Sequence, residues 1–471
     1  MKVNKSDFLI NSKTLVRKLI QQLSKTYSYV SVLGTDTRGK TYRVSKMGIE
    51  VNDTMLAERG FVLRVHNGVN YSEYSFNEIS EDQIENIVNE VERKLGQSTK
   101  DIQVNEYPLI KEEETTNSFQ GDVELDPEEM SSEIIIKNLI DLKDAALEYS
   151  DQLANYTVTY NSIHVSKIFL SEKKDLEQTY QLSEGYLFSL ARRDNKTKYY
   201  FRSYSGMKGF EIVEEMKRDY KEVVEQSLEM LNSSTVKPGE YDVICDPDIA
   251  GLIAHEAFGH GVEMDMFVKG RAKGAEYINE QIASQLTTMH DGAAAAKHMS
   301  SYLFDDEGTI GTDTIVIEEG ILRNGISDLL SALKLNTVPT GNGKRQSFER
   351  KAYARMTNTF FEAGKDSYED MVASISYGYQ LEGMYSGMED PKNWGIQCIA
   401  QLGREIVNGK FTGNIISPVV MTGFVPDLLK SISMVSDKVE LEGAGYCGKG
   451  YKEYVKTSNG GPYIKAKVRL G

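Results

Sequence analysis

The feature that most limits what this chain can fold into is a succession of short alternating strand patterns with no regular helix between them. From Tyr27 to Phe76 the segments YSYVSVLG, KTYRVSKMG, IEVND, RGFVLRVH and VNYSEYSF follow one another, cut by DTRG, Asn52-Asp53 and Asn67-Gly68. A second set, ANYTVTYNSIHVSKIFLS, EQTYQLSEGYLFSLARR and TKYYFRSYSG, lies between helix patterns at SEIIIKNLIDLKDAALEY and EEMKRDYKEVVEQSLEMLN. Strand runs grouped in this way predict an α+β chain with mixed or antiparallel sheets flanked by helices, not a doubly wound sheet.

Further helices are expected at the amphipathic amino terminus and at EDQIENIVNEVERKLG, where Ile84, Ile87, Val88 and Val91 share a face. The acidic stretch from about 111 to 130 reads as an exposed loop or linker. Pro238-Gly239 marks a boundary, so two domains are expected, 1–234 and 235–471, which suits a length of 471 residues. Hairpins are read at DTIVIEEGILRNGIS and CIAQLGREIVNGKFTGNIIS.

The formal net charge of −16 repels phosphate backbones, so direct nucleic-acid binding is not expected. No apolar run approaches the ~20 residues that span a bilayer, and the amino terminus lacks the apolar core of a signal peptide. A cytoplasmic protein without membrane contact is the expectation. Cys245, Cys398 and Cys447 are too few and too far apart for a disulfide framework or a C-x-x-C knuckle.

The chemistry-bearing stretch is GLIAHEAFGHGVEMD. His255 and His260 are one residue too far apart for the zinc-protease pattern H-E-x-x-H. On an ideal helix such a pair diverges by about 140°, against about 40° for i and i+4. A π-type turn or an early helix end would bring both imidazoles to one side, and Gly259 and Gly261 leave the backbone free to do so. Glu256 is the residue type a zinc hydrolase needs to accept a proton from water. A third ligand is required; Cys447, in the glycine-dense LEGAGYCGKG, is a candidate, and His66, His164, His290 and His298 lie in no partner motif. The residues alone leave open a structural histidine pair capping a helix, and a Cys447 that is simply core.

GAGYCG matches G-x-G-x-x-G, but the polar, turn-like sequence after it does not open a helix, so dinucleotide binding is set aside. Gly343-Lys344 lacks the first glycine of a P-loop, where Val338 stands. Asp305, Asp306 and Glu307 read as a turn with a solvated edge in preference to a hard-cation site. Arg355 either faces a substrate groove or pairs with a carboxylate.

The ordered blocks HEAFGHGVEMD, DDEGTIG, PTGNGKRQSF, ARMTN, SISMVSD and GYCGKG, from about Gly239 to Lys449, resemble the TldD/PmbA family. Its members were first described as modulators of DNA gyrase and are understood as zinc metalloproteases. The resemblance implies Zn²⁺ held by His255, His260 and Cys447, with Glu256 as catalytic base. It also implies a metallopeptidase acting on unfolded or extended polypeptide laid along a sheet edge. This chain keeps the full motif and so resembles the catalytic, TldD-type subunit, paired with a homologous non-catalytic subunit or with a second copy. The competing class is a non-catalytic regulatory protein with a structural metal. SGMEDPKNWGIQCIA, with the single tryptophan Trp394, departs from the glycine-rich stretch usual in the family.

Overall fold

Alternation in the first two strand groups resolves into one nine-stranded sheet in the computed structural model, which describes residues 1–95, 106–450 and 453–471. Its spine is the strand Leu153–Ser171. One edge pairs in turn with Lys40–Ser45 and Tyr29–Arg38, and the other runs beside Lys174–Arg193 along nearly its whole length. Glu58–His66 and Tyr71–Phe76 extend one side, Gly48–Asp53 and Lys196–Gly206 the others.

Helix Asp7–Leu23, capped by Ser6, and helix Ile84–Leu95 bury Leu9, Val16, Ile20, Ile84 and Val91 against Val30, Val32, Phe61 and Leu63. Helices Ser132–Tyr149 and Ile212–Met230 bury Ile135, Leu139, Met216 and Val223 against Tyr156, Val158 and Leu187. Each such side chain contributes about 1.5–3 kcal/mol when fully buried. The helix expected to reach Gly96 is seen to Leu95; Gly96 lies outside the described residues.

One expectation is corrected here. Within 111–130, Thr115–Gln120 is a strand pairing parallel with Lys174–Thr179, so the stretch is not a free loop. TTNSFQ carries no apolar alternation; the open edge of a long neighbouring strand recruits its backbone.

In the second half, five strands close on themselves. Gly239–Cys245 pairs parallel with Tyr377–Asp390 and antiparallel with Ile464–Leu470, while Gly395–Val407 and Val419–Phe424 complete the ring. The Gly395–Val407/Lys410–Ile416 hairpin turns at Asn408 and Gly409, with φ of 50° and 72°, as a tight hairpin turn requires. A six-stranded sheet, from Ile321–Leu322 to Glu440–Glu442, stands opposite. A helix beginning at Pro247 packs between the two, against Tyr377–Asp390 on one side and Ser458–Gly461 on the other. The sequence after Cys447 is not the polar turn it resembles. Tyr446–Lys449 pairs with Glu453–Lys456, and Ser458–Gly461 joins the six-stranded sheet.

The DDEG segment is also corrected. Gly308, at φ 76°, makes the expected turn, but Asp305, Asp306 and Glu307 are buried, not solvated. Asp305 accepts from the amides of Glu307, Thr309 and Gly343. Asp306 pairs with Lys167, and Glu307 with Arg64. The sequence could not show this, because both cationic partners come from the other half of the chain.

Arg64 and Arg345 also converge on Glu73. Burial by itself would raise the Glu73 carboxyl; the two guanidinium groups outweigh it and hold it down at about 2. A depressed carboxylate stabilises the fold above its unfolded pKa, and that contribution is lost as pH falls from about 4.5 toward about 2. The expected loss is about 3 kcal/mol. Thermal midpoints measured across that window should fall less steeply for Glu73→Gln than for the wild-type chain.

Candidate metal centre

The Pro247 helix starts conventionally: the Asp246 carboxylate accepts from Ile249 N–H, and proline occupies the first turn. After Leu252 it widens to π geometry over Ile253–Gly259, then tightens to a 3₁₀ turn over His260–Val262. The widened turn absorbs the extra residue of H-E-x-x-x-H and turns both imidazoles to one side. Gly259 has an ordinary helical φ of −58°, so torsional freedom is not what it supplies. A β-carbon there would lie 2.0 Å from Met356 Sδ; the glycine is required by space.

The tertiary fold then delivers Cys447 to the same point from the Tyr446–Lys449 strand. One ligand atom each from His255, His260 and Cys447 lies within 4.8 Å of the others, and His260 Nε2 is 3.5 Å from Cys447 Sγ. A tetrahedral zinc with bonds of about 2.0–2.3 Å sets neighbouring ligand atoms about 3.3–3.6 Å apart. The His260–Cys447 spacing and the donor set, two imidazoles and a thiol, therefore fit Zn²⁺. Burial alone would push the Cys447 thiol up, but the two imidazoles hold it well below its ordinary value. Conversely, burial would lower His255 and His260, and the facing thiolate raises both, aided at His260 by Glu263.

Glu256 stands beside the ligands, one carboxylate oxygen 3.9 Å from His255 Nε2 and the other 3.9 Å from His260 Nε2. It lines both a cleft of about 800 Å³, shared with His260, Gly387 and Glu389, and a pocket of about 270 Å³, shared with His255, Met384 and Cys447. Gly387 packs directly on it: a β-carbon at 387 would meet Glu256 Cγ at 2.6 Å.

Several residues that sequence reasoning left aside hold this arrangement. Glu263, buried, is 3.2 Å from His260 Nδ1 and pairs with Lys449 at 2.9 Å. Burial would raise its carboxyl, but Lys449 and His260 keep it well below the ordinary range. Its position three residues after His260 was the available signal. Arg355, fully buried, pairs with a carboxylate: its Nε is 3.7 Å from Glu263 Oε1. It also donates to the Cys447 and Glu453 carbonyls at 2.7 and 3.2 Å, clamping the cysteine hairpin. Lys456, paired with Glu184 of the first half, donates to the carbonyls of Ala444 and Gly445. No motif in the sequence linked Lys456 to the centre.

The other histidines are elsewhere. His66 and His164 approach the carbonyls of Tyr107 and Asn4, and His290 pairs with Asp313. Cys245 and Cys398 are buried free thiols. Trp394, at φ 61°, closes the tip between Tyr377–Asp390 and Gly395–Val407 and is buried.

Residues 238–469 match the family description "PmbA/TldA metallopeptidase C-terminal domain". The chain is 27% identical over 395 residues to the metalloprotease MJ0996 of Methanocaldococcus jannaschii, covering 83% of this chain and 85% of that one. It is 27% identical over 417 residues to a zinc metalloprotease TldD homolog of Saccharolobus solfataricus, covering 87% and 89%. Among solved structures, TldE from Thermococcus kodakarensis superposes with a TM-score of 0.76 at 19% identity, over 97% of this chain and 99% of that one. The TM0727 protein of Thermotoga maritima does so at 0.77 and 18%, over 98% and 100%. These structural likenesses establish the fold. The domain match and the sequence relatives place the chain in a metallopeptidase class of protein. Residues 238–469 belong to the TldD/PmbA family, and the chain is similar to metalloproteases of the TldD type over most of its length.

Proposed function

We propose that the chain is a zinc-dependent metallopeptidase, the catalytic TldD-type member of its family, with His255, His260 and Cys447 as ligands and Glu256 as general base. The observation that carries this reading is the convergence of three ligand atoms within 4.8 Å, with the Glu256 carboxylate 3.9 Å from both imidazoles. Among the described residues the cluster has three members, which leaves a coordination position open and favours a catalytic over a structural metal. When bound, zinc supplies Lewis acidity toward a peptide carbonyl and toward water. Glu256 takes the proton from the attacking water and returns it to the departing amine. Glu263 holds His260 through Nδ1, and Arg355 holds the Cys447 backbone, so neither ligand must reorganise during turnover.

The substrate is an extended or unfolded polypeptide. Gly239–Cys245 pairs with Tyr377–Asp390 only as far as Leu381. Beyond it, Met384–Glu389 run past both pockets beside Glu256, with their other edge paired to Gly395–Val407. An added peptide strand along that stretch would pass the centre, as in strand-addition recognition. The working assembly is a pair with a homologous non-catalytic subunit or with a second copy. The exposed edge strand Gly48–Asp53, carrying Ile49 and Val51, supports association, since lone edge strands are normally blunted. No helix among the described residues is long and apolar enough to cross a membrane, and a cytoplasmic setting is part of this reading.

The test is metal analysis joined to cleavage. The purified protein should carry about one zinc per chain and cut an unstructured peptide. Phenanthroline should abolish cutting, and added zinc should restore it. Cleavage that persists in metal-free protein would sink this reading.

A further inference from the structure

Glu389 lines the same cleft as Glu256 and His260 and belongs to the hairpin arm Tyr377–Asp390. Its carboxylate packs against Gly261, the residue after the second histidine: a β-carbon there would lie 2.8 Å from Glu389 Oε1. Both carboxylate oxygens are buried and make no hydrogen bond. The Gly261 N–H is directed at them without reaching hydrogen-bond geometry. The cleft's ammonium groups are committed elsewhere, Lys449 to Glu263 and Asp265, and Lys269 to Asp265. Of the cleft's guanidinium groups, Arg350 lies 4.0 Å from Glu453; among the described residues Arg271 is in no ion pair, and no ion pair reaches Glu389.

A desolvated carboxylate with two free oxygens is costly unless a ligand supplies donors and charge. One amide N–H would satisfy one oxygen and leave the negative charge unpaired. An ammonium or guanidinium group satisfies both. The geometry points to Glu389 as a specificity-determining residue that binds a substrate cation beside the scissile bond. The preferred polypeptides are therefore those presenting a lysine or arginine side chain, or a free α-ammonium group, at that subsite. This rests on the peptidase reading for its location at the cleavage site, but not for the binding itself.

The experiment uses zinc-loaded full-length protein and unstructured peptides of about ten residues. Each pair differs only in lysine against norleucine at one position, with free or acetylated amino termini. Wild-type kcat/KM should favour lysine at one position by at least about tenfold. Glu389→Gln should erase the preference, and Glu389→Lys should turn it toward a further peptide with glutamate at that position. A preference for free over acetylated amino termini, with lysine and norleucine treated alike, assigns the α-ammonium as the cation. Peptide affinity for Glu256→Gln protein, read by fluorescence anisotropy, should show the same discrimination without turnover. Cleavage of all these peptides alike, lysine or norleucine and free or acetylated, with alike affinity, overturns the cation subsite and leaves the peptidase intact. Discrimination in affinity, lost on adding Glu389→Gln, without any cleavage by wild type, supports the subsite and removes the peptidase. Neither binding nor cleavage overturns both.

Discussion

Glutamine in place of Glu256 is expected to lower kcat/KM for an unstructured peptide by about 10³-fold, within the range contributed by a positioned general base. The zinc content should stay at one per chain. The physical ground is the division of labour in the centre. Glu256 is not among the three clustered ligand atoms, and its oxygens lie 3.9 Å from the imidazoles, too far for it to hold them by hydrogen bonds. An amide of the same shape removes proton acceptance and little else. The Gly387 backbone on its Cβ and Cγ keeps the side chain in place. Full activity in this variant would show that the base lies elsewhere; loss of zinc together with activity would show that Glu256 is a ligand.

Cys447→Ala is expected to weaken zinc binding by more than about 100-fold, beyond the loss typical of an outer-shell partner, and to abolish cleavage. Competition with a chromophoric chelator measures the first and peptide turnover the second. The fold should survive, because the hairpin is held through main-chain carbonyls: Arg355 reaches Cys447 and Glu453, and Lys456 reaches Ala444 and Gly445. An unchanged far-ultraviolet circular dichroism spectrum checks that point. Unaltered zinc affinity would remove Cys447 from the ligand set.

Local patterns carried far in this chain. The helix read at 132–149 is seen as Ser132–Tyr149, and the strand read at 154–171 as Leu153–Ser171. Both have strong periodicity and clear end signals, and such segments choose their structure with little help from the rest of the chain. Thr115–Gln120 was missed because its polar residues pair only when a long strand offers an edge. The buried DDEG turn was missed because its neutralising cations, Arg64 and Lys167, lie far away in sequence.

The centre divides in the same way. Two histidines, a neighbouring glutamate and a five-residue spacing made a departure from α geometry necessary if one metal was to be shared, and the π turn over Ile253–Gly259 supplies it. The role assumed for Gly259 was wrong: it makes room for Met356 and does not free a torsion. By itself the sequence determined the strongly periodic strand and helix segments, the acidic charge and the residue types able to hold zinc, because these depend on neighbours within a few positions. Only the tertiary structure decided that Cys447 meets His260 at 3.5 Å, that Glu263, Lys449 and Arg355 form one buried network behind them, and that Glu389 is left without a partner. Distance and desolvation set those outcomes, and both arise only when segments remote in the chain are packed together.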